Sequence, residues 1–150
     1  MYYQDHEQKI ITQAISLLES RLQTCEIQFT HSGTVRRYLR LHLEGLEREI
    51  FFVMYLDNQH RLIAGETVFT GTLNSVNVYP REIVKQVLFY NAGAVIFAHN
   101  HPSGVAEPSQ ADRQVTDRLK QALSLIDVPV LDHMVIGHGQ IVSFADQGLL

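Results

Sequence analysis

From Gln4 to Leu22, Ile10, Ile11, Ala14, Ile15, Leu17, Leu18 and Leu22 recur at the spacing of a helix. The segment TCEIQFTHSG breaks that pattern, and a second helix is expected to start near Ser32 or Thr34, carrying Val35, Tyr38, Leu39 and Leu43. Ile50 to Leu56, IFFVMYL, is a run of seven apolar residues rich in aromatics, which reads as a central strand covered on both faces. DNQH then makes a turn, and RLIAGETVF reads as the paired strand of a hairpin.

TGTLN follows as a loop. YPREIVKQVLFYNA reads as a helix, with Pro80 near its first position and Glu82 in its first turn. GAVIFA is a short buried strand. From Ser109 to about Leu125, Ala111, Val115, Leu119, Ala122 and Leu123 predict a further helix, and VPVLDHMVIG with IVSF predicts a closing strand pair. Helices and strands thus mix, and the hairpins imply antiparallel pairing. The pattern predicts an α/β domain with a mixed sheet flanked by helices.

Composition narrows the function classes. The chain has 150 residues, the size of one ordinary domain, and its 45% apolar content suffices for a core. A net charge of −4 disfavours broad attraction to nucleic acid or anionic lipid. One cysteine, Cys25, precludes an intramolecular disulfide and suits a cytoplasmic location; it also leaves any transition metal to histidine and carboxylate. The N-terminal residues MYYQDHEQKI carry no apolar signal core, and no apolar run approaches the ~20 residues of a membrane span.

The candidate chemistry lies in AHNHPSGVAEPSQAD, Ala98 to Asp112. Taken alone, Ser109 with Asp112 three residues on reads as a capping box at a helix start. His99 and His101 change the weighing. In an extended segment they would point to one side, and a first-turn carboxylate of the next helix could supply a third ligand. Two nitrogens, one oxygen and an open fourth position form the pattern of catalytic zinc. Cap and ligand need not compete, because a capped helix holds Asp112 rigidly. The contiguous letters HNH are no sign of the nuclease class of that name, and the chain lacks the H-x-E and P-C-x-x-C elements of zinc deaminases.

The spacing His99-x-His101, seven residues, Ser109, two residues, Asp112 resembles the JAMM (MPN+) metalloprotease motif without a gap. GTLN, YPREIVKQ, NAGAVIFAHNHPSG, PSQADRQVT, LDHMVIG and SFADQG resemble the RadC family, from about Glu47 to the C-terminus. The resemblance implies the metallopeptidase-type, cytidine-deaminase-like α/β fold of JAMM domains over residues 47–150, with residues 1–46 a helical segment packed on it. It also implies zinc held by His99, His101 and Asp112. Full-length members carry a helix-hairpin-helix DNA-binding segment; this chain looks like the short RadC-like type, which puts a DNA-repair role in doubt.

JAMM enzymes also use an upstream glutamate as general base. Glu44, Glu47, Glu49 and Glu66 are candidates, and the family position at the start of the first strand points to Glu49, with Glu66 next. Many relatives have two acidic residues there, and the second position here is Ile50. As the last polar residue before a buried run, Glu49 would be partly desolvated, which raises its pKa towards that of a base working near neutral pH. Ser109 resembles the serine that steadies the tetrahedral oxyanion. The implied reaction is hydrolysis of an amide or isopeptide bond in a protein or peptide substrate; the alternative is an accessory module that binds DNA or protein without hydrolysis. His133 reads as a satisfied histidine at the core edge, with a supporting role behind a ligand as its other reading, and His138 as a turn residue. Arg36, Arg37 and Arg40 read as a solvated face, and Tyr79 and the GTLN loop, near an expected substrate groove, are assigned no role.

Overall fold

The computed structural model describes residues 4–24, 33–72 and 75–150. Its elements in chain order are α1 (Asp5–Thr24), α2 (Gly33–Leu43), β1 (Ile50–Leu56), β2 (Leu62–Thr70), α3 (Pro80–Phe89), β3 (Ala94–Asn100), α4 (Gln110–Ser124), β4 (Val130–Ile136) and β5 (Ile141–Ser143). Cys25, Ser32 and the Leu73–Asn74 part of the expected loop lie outside the described residues.

The strands form one sheet in the order β2-β1-β3-β4-β5. β1 pairs antiparallel with both β2 and β3, β3 pairs parallel with β4, and β4 pairs antiparallel with β5. The sheet is mixed, as the pattern predicts. The hairpin turn closes because one Asp57 carboxylate oxygen accepts from the amides of Gln59 and Arg61, both at 2.9 Å. The parallel pair requires a long crossover, which α4 supplies.

β1 shows why its sequence does not alternate. Phe52, Met54 and Leu56 pack with Val35, Tyr38 and Leu39 of α2 on one face. Phe51, Val53 and Tyr55 pack with Ile83 and Val87 of α3 and Leu119 and Leu123 of α4 on the other. With helices on both faces, apolar residues serve at every position. Gly65 in β2 permits the close approach of α2: a Cβ there would stand 2.3 Å from the Tyr38 hydroxyl oxygen and 2.9 Å from the Phe52 ring.

β3 runs farther than GAVIFA predicts. The ladder continues through Phe51 opposite His99 and Asn100 opposite Ile136, so His99 and Asn100 are strand residues. Backbone pairing on both sides carries the strand past the point where its side chains turn polar.

Candidate metal centre

The end of β3 lies beside the start of β1, with Phe51 opposite His99. Extending that register by two residues sets Glu49 level with His101. By alternation Glu49, Phe51, Phe97, His99 and His101 point to the α4 side. The first turn of α4 brings Ser109 and Asp112 to the same place.

Three groups form a tight triangle. His99 Nε2 lies 3.0 Å from His101 Nε2 and 3.2 Å from Asp112 Oδ1, and His101 Nε2 lies 3.2 Å from Asp112 Oδ2. Glu49 is set back, with Oε1 3.9 Å from His99 Nε2 and 3.7 Å from His101 Nε2. Glu49 and His99 are buried, at 6% and 2% exposure.

The cap is present as well. Ser109 Oγ accepts from the Asp112 amide at 3.1 Å, and Asp112 Oδ2 accepts from the Ser109 amide at 2.8 Å. The box fixes the carboxylate that faces the histidines, so capping and clustering use the same side chain. Accepting this bond leaves the Ser109 hydroxyl proton for another acceptor, and Ser109 lines the cleft in front of the cluster.

Proton positions follow from the partners. His101 Nδ1 lies 2.8 Å from the Val105 carbonyl, which can only accept. Nδ1 therefore carries the proton, and neutral His101 presents a lone pair at Nε2. Burial pushes the Asp112 carboxyl up, but the His101 and His99 imidazoles outweigh it and hold Asp112 well below the usual carboxylate range. The Asp112 hydrogen bond pulls His101 above the ordinary imidazole value against its burial. Burial raises Glu49, partly offset by His99 and His101. Acceptor atoms converge here and favour any positive charge placed among them. Yet the cleft of about 300 Å³ has no Lys or Arg in its lining among the described residues. Ligand atoms of Glu49, His99, His101 and Asp112 all lie within 4.8 Å of one another, a nitrogen and oxygen set that can bind a divalent metal.

Two supports were not foreseen in the sequence. The Asn100 side chain accepts from the Ile50 amide at 2.8 Å and donates to the Arg48 carbonyl at 2.9 Å, gripping the residues on either side of Glu49. Glu49's own amide donates to the Thr72 carbonyl at 2.7 Å, and its carbonyl accepts from the Gly71 amide at 2.8 Å. Thr116, one turn beyond Asp112, contacts His133 at 2.6 Å. The available signal was a polar residue at a buried position of each element: Asn100 ending an apolar strand, Thr116 on the inner stripe of α4.

The remaining candidates lie elsewhere. Glu66 accepts from the Tyr90 hydroxyl at 2.8 Å, Glu44 Oε1 accepts from the Gly139 amide at 2.7 Å, and Glu47 is exposed; none joins the cluster. His133 is not at the core edge: it is fully buried behind His99, because Phe144 stacks on it at 4.7 Å. His138 lies between β4 and β5, against Gly104. Arg36 pairs with Asp146 at 3.0 Å and Arg40 with Glu44 at 3.3 Å. Tyr79 precedes α3, with its ring edge-on to Phe69.

A family model described as the RadC-like JAB domain matches residues 29–149. The UPF0758 protein YeeS of Escherichia coli (strain K12) is 51% identical over 144 residues, covering 96% of this chain and 97% of YeeS. YkfG of the same strain is 53% identical over 144 residues, covering 96% of this chain and 91% of YkfG. A UPF0758 protein of Cellvibrio japonicus (strain Ueda107) is 61% identical over 116 residues, which is 77% of this chain and 52% of that protein.

Proposed function

The chain belongs to the RadC family, and from that premise and the geometry of its cleft we propose that it is a zinc-dependent hydrolase of the JAMM type, cleaving an amide or isopeptide bond in a protein or peptide. One observation carries the reading: a tight triangle of His99, His101 and Asp112, with a buried carboxylate, Glu49, set back from it.

Three nitrogen and oxygen ligands suit catalytic zinc, which keeps an open position. His99, His101 and Asp112 would hold the ion. When bound, it would acidify water and polarise the scissile carbonyl. Glu49 takes a proton at its carboxylate from the attacking water and returns it to the leaving nitrogen. Its raised pKa, caused by burial, suits both transfers near neutral pH. Ser109 donates its hydroxyl to the carbonyl oxygen as that oxygen gains charge, a contact of about 3 kcal/mol in comparable sites. Phe51, Val76, Val78 and Val115 give the cleft an apolar wall, which suits apolar substrate groups beside the scissile bond. Direct DNA binding is not part of the proposal, given the net charge of −4 and the pairing of Arg36 and Arg40.

The test is incubation of the zinc-loaded protein with a proteome-derived peptide mixture, reading new termini by mass spectrometry. Chelator-sensitive cleavage is expected, falling by at least about 100-fold in Glu49→Gln, the scale of general-base loss. Cleavage at the wild-type rate by Glu49→Gln, or cleavage that persists after the metal is chelated, would refute the proposal.

A further inference from the structure

His133 offers both ring nitrogens to partners in a fully buried setting. Nε2 lies 2.7 Å from His99 Nδ1, and Nδ1 lies 2.6 Å from Thr116 Oγ1. Phe144 stacks on the ring at 4.7 Å, and Phe51 and Phe97 meet it edge-on at 5.5 and 5.9 Å. The aromatic packing fixes the plane of the ring and the polar contacts at Nδ1 and Nε2 fix its flip, so the open question is which nitrogen holds the proton.

Thr116 decides it. Its hydroxyl has one proton, and Oγ1 lies 2.8 Å from the Asp112 carbonyl oxygen, which can only accept. The hydroxyl therefore donates to that carbonyl and must accept from His133 Nδ1–H. His133 Nε2 is then a lone pair and accepts from His99 Nδ1–H. This leaves His99 Nε2 bare towards Asp112 and His101. The opposite direction would set two oxygen lone pairs against each other at Thr116 and put a proton on His99 Nε2, where a ligand needs none.

We propose that Thr116 and His133 are positioning residues that form a directed hydrogen-bond chain from His99 to the Asp112 backbone, fixing His99 in its metal-binding tautomer. The chain ties one ligand's ring to another ligand's main chain, so both are placed by one buried unit. This rests on the metal site of the proposed function. Outer partners of this kind raise ligand basicity and hold ring orientation.

The test uses the full chain with zinc alone. Thr116→Val keeps the branched shape and removes the hydroxyl; Thr116→Ser keeps the hydroxyl. Zinc affinity, measured against a chromogenic chelator, is expected to fall about 10- to 100-fold in Thr116→Val and to stay near wild type in Thr116→Ser. Long-range ¹H–¹⁵N spectra of zinc-loaded wild type should show His99 and His133 each protonated at Nδ1. A role in packing alone would alter melting temperature without setting these tautomers. Wild-type affinity in Thr116→Val, or a proton on His133 Nε2, overturns the chain while leaving the metal site standing. No zinc uptake by wild type overturns both. Should Thr116→Val not fold, the wild-type spectrum decides.

Discussion

Asn100 shows how a polar residue earns its place at the end of an apolar strand. Both ends of its amide are bonded, so burial leaves no orphan group, and the bonds fall on the backbone flanking Glu49. His42 is the contrary case: it packs against Tyr38 at 4.6 Å and Phe52 at 4.8 Å, and its Nε2 has no hydrogen-bond partner. Burial lowers the pKa of His42, against an opposing pull from Glu19, and lowers that of His133 further. Below about pH 6.5 the unfolded chain takes up protons at these two residues that the folded chain refuses. Their contribution is therefore intact above that pH and is lost as pH falls towards the folded values. His101 acts with opposite sign: its raised pKa adds stability below about pH 6.5 that is lost as pH rises through its folded value. For metal-free protein, His42→Phe should flatten the decline in unfolding free energy between about pH 6.5 and 5.5 by up to about 1.4 kcal/mol per pH unit. Urea titrations across that range read it, and an unchanged slope would refute the assignment. None of this was legible in the sequence, since His42 carries no motif and its burial depends on how α1 and α2 meet the sheet.

At the scale of elements, hydrophobic patterning placed every strand and helix: a period where one face is covered, as in α2, and an unbroken apolar run where both are, as in β1. It failed at the end of β3, where pairing with β1 and β4 rather than side-chain polarity sets the boundary. It also failed to separate cap from site at the start of α4, because Ser109 and Asp112 serve both. Ser109→Ala separates the two effects. It removes the acceptor for the Asp112 amide but keeps the backbone bond from Ser109 to the Asp112 carboxylate. The variant should lose about 1 kcal/mol of stability, the usual cost of an N-cap, and bind zinc within a few-fold of wild type. Its cleavage of any peptide cut by wild type should fall about 100-fold or more, as for other oxyanion donors. Denaturation, chelator competition and peptide turnover check the three parts. Loss of zinc binding would show that the hydroxyl, not the backbone, holds Asp112.

For the whole molecule, the fold serves to bring residues separated by up to 63 positions, Glu49 to Asp112, into one cluster. The spacing of His99, His101, Ser109 and Asp112 was readable because it lies within one strand–loop–helix unit. The place of Glu49 was not readable from spacing, because β1 reaches β3 only through sheet order. The family resemblance and its position as the last polar residue before the buried run singled it out, and the register puts it level with His101 while Glu44, Glu47 and Glu66 lie elsewhere. No helix among the described residues is long and apolar enough to cross a membrane. A metal that binds only the folded chain must raise its stability, by about 4 kcal/mol at a thousandfold excess over the dissociation constant. In a domain of this size that is a melting shift of roughly 10 °C. The most direct measurement is therefore the zinc-induced melting shift of wild type and four single variants. Wild type and Glu49→Gln are expected to shift fully, whereas His99→Ala, His101→Ala and Asp112→Ala lose most of the shift. An undiminished shift in the three ligand variants, or its loss in Glu49→Gln, would contradict a three-ligand metal site with Glu49 standing apart as its base.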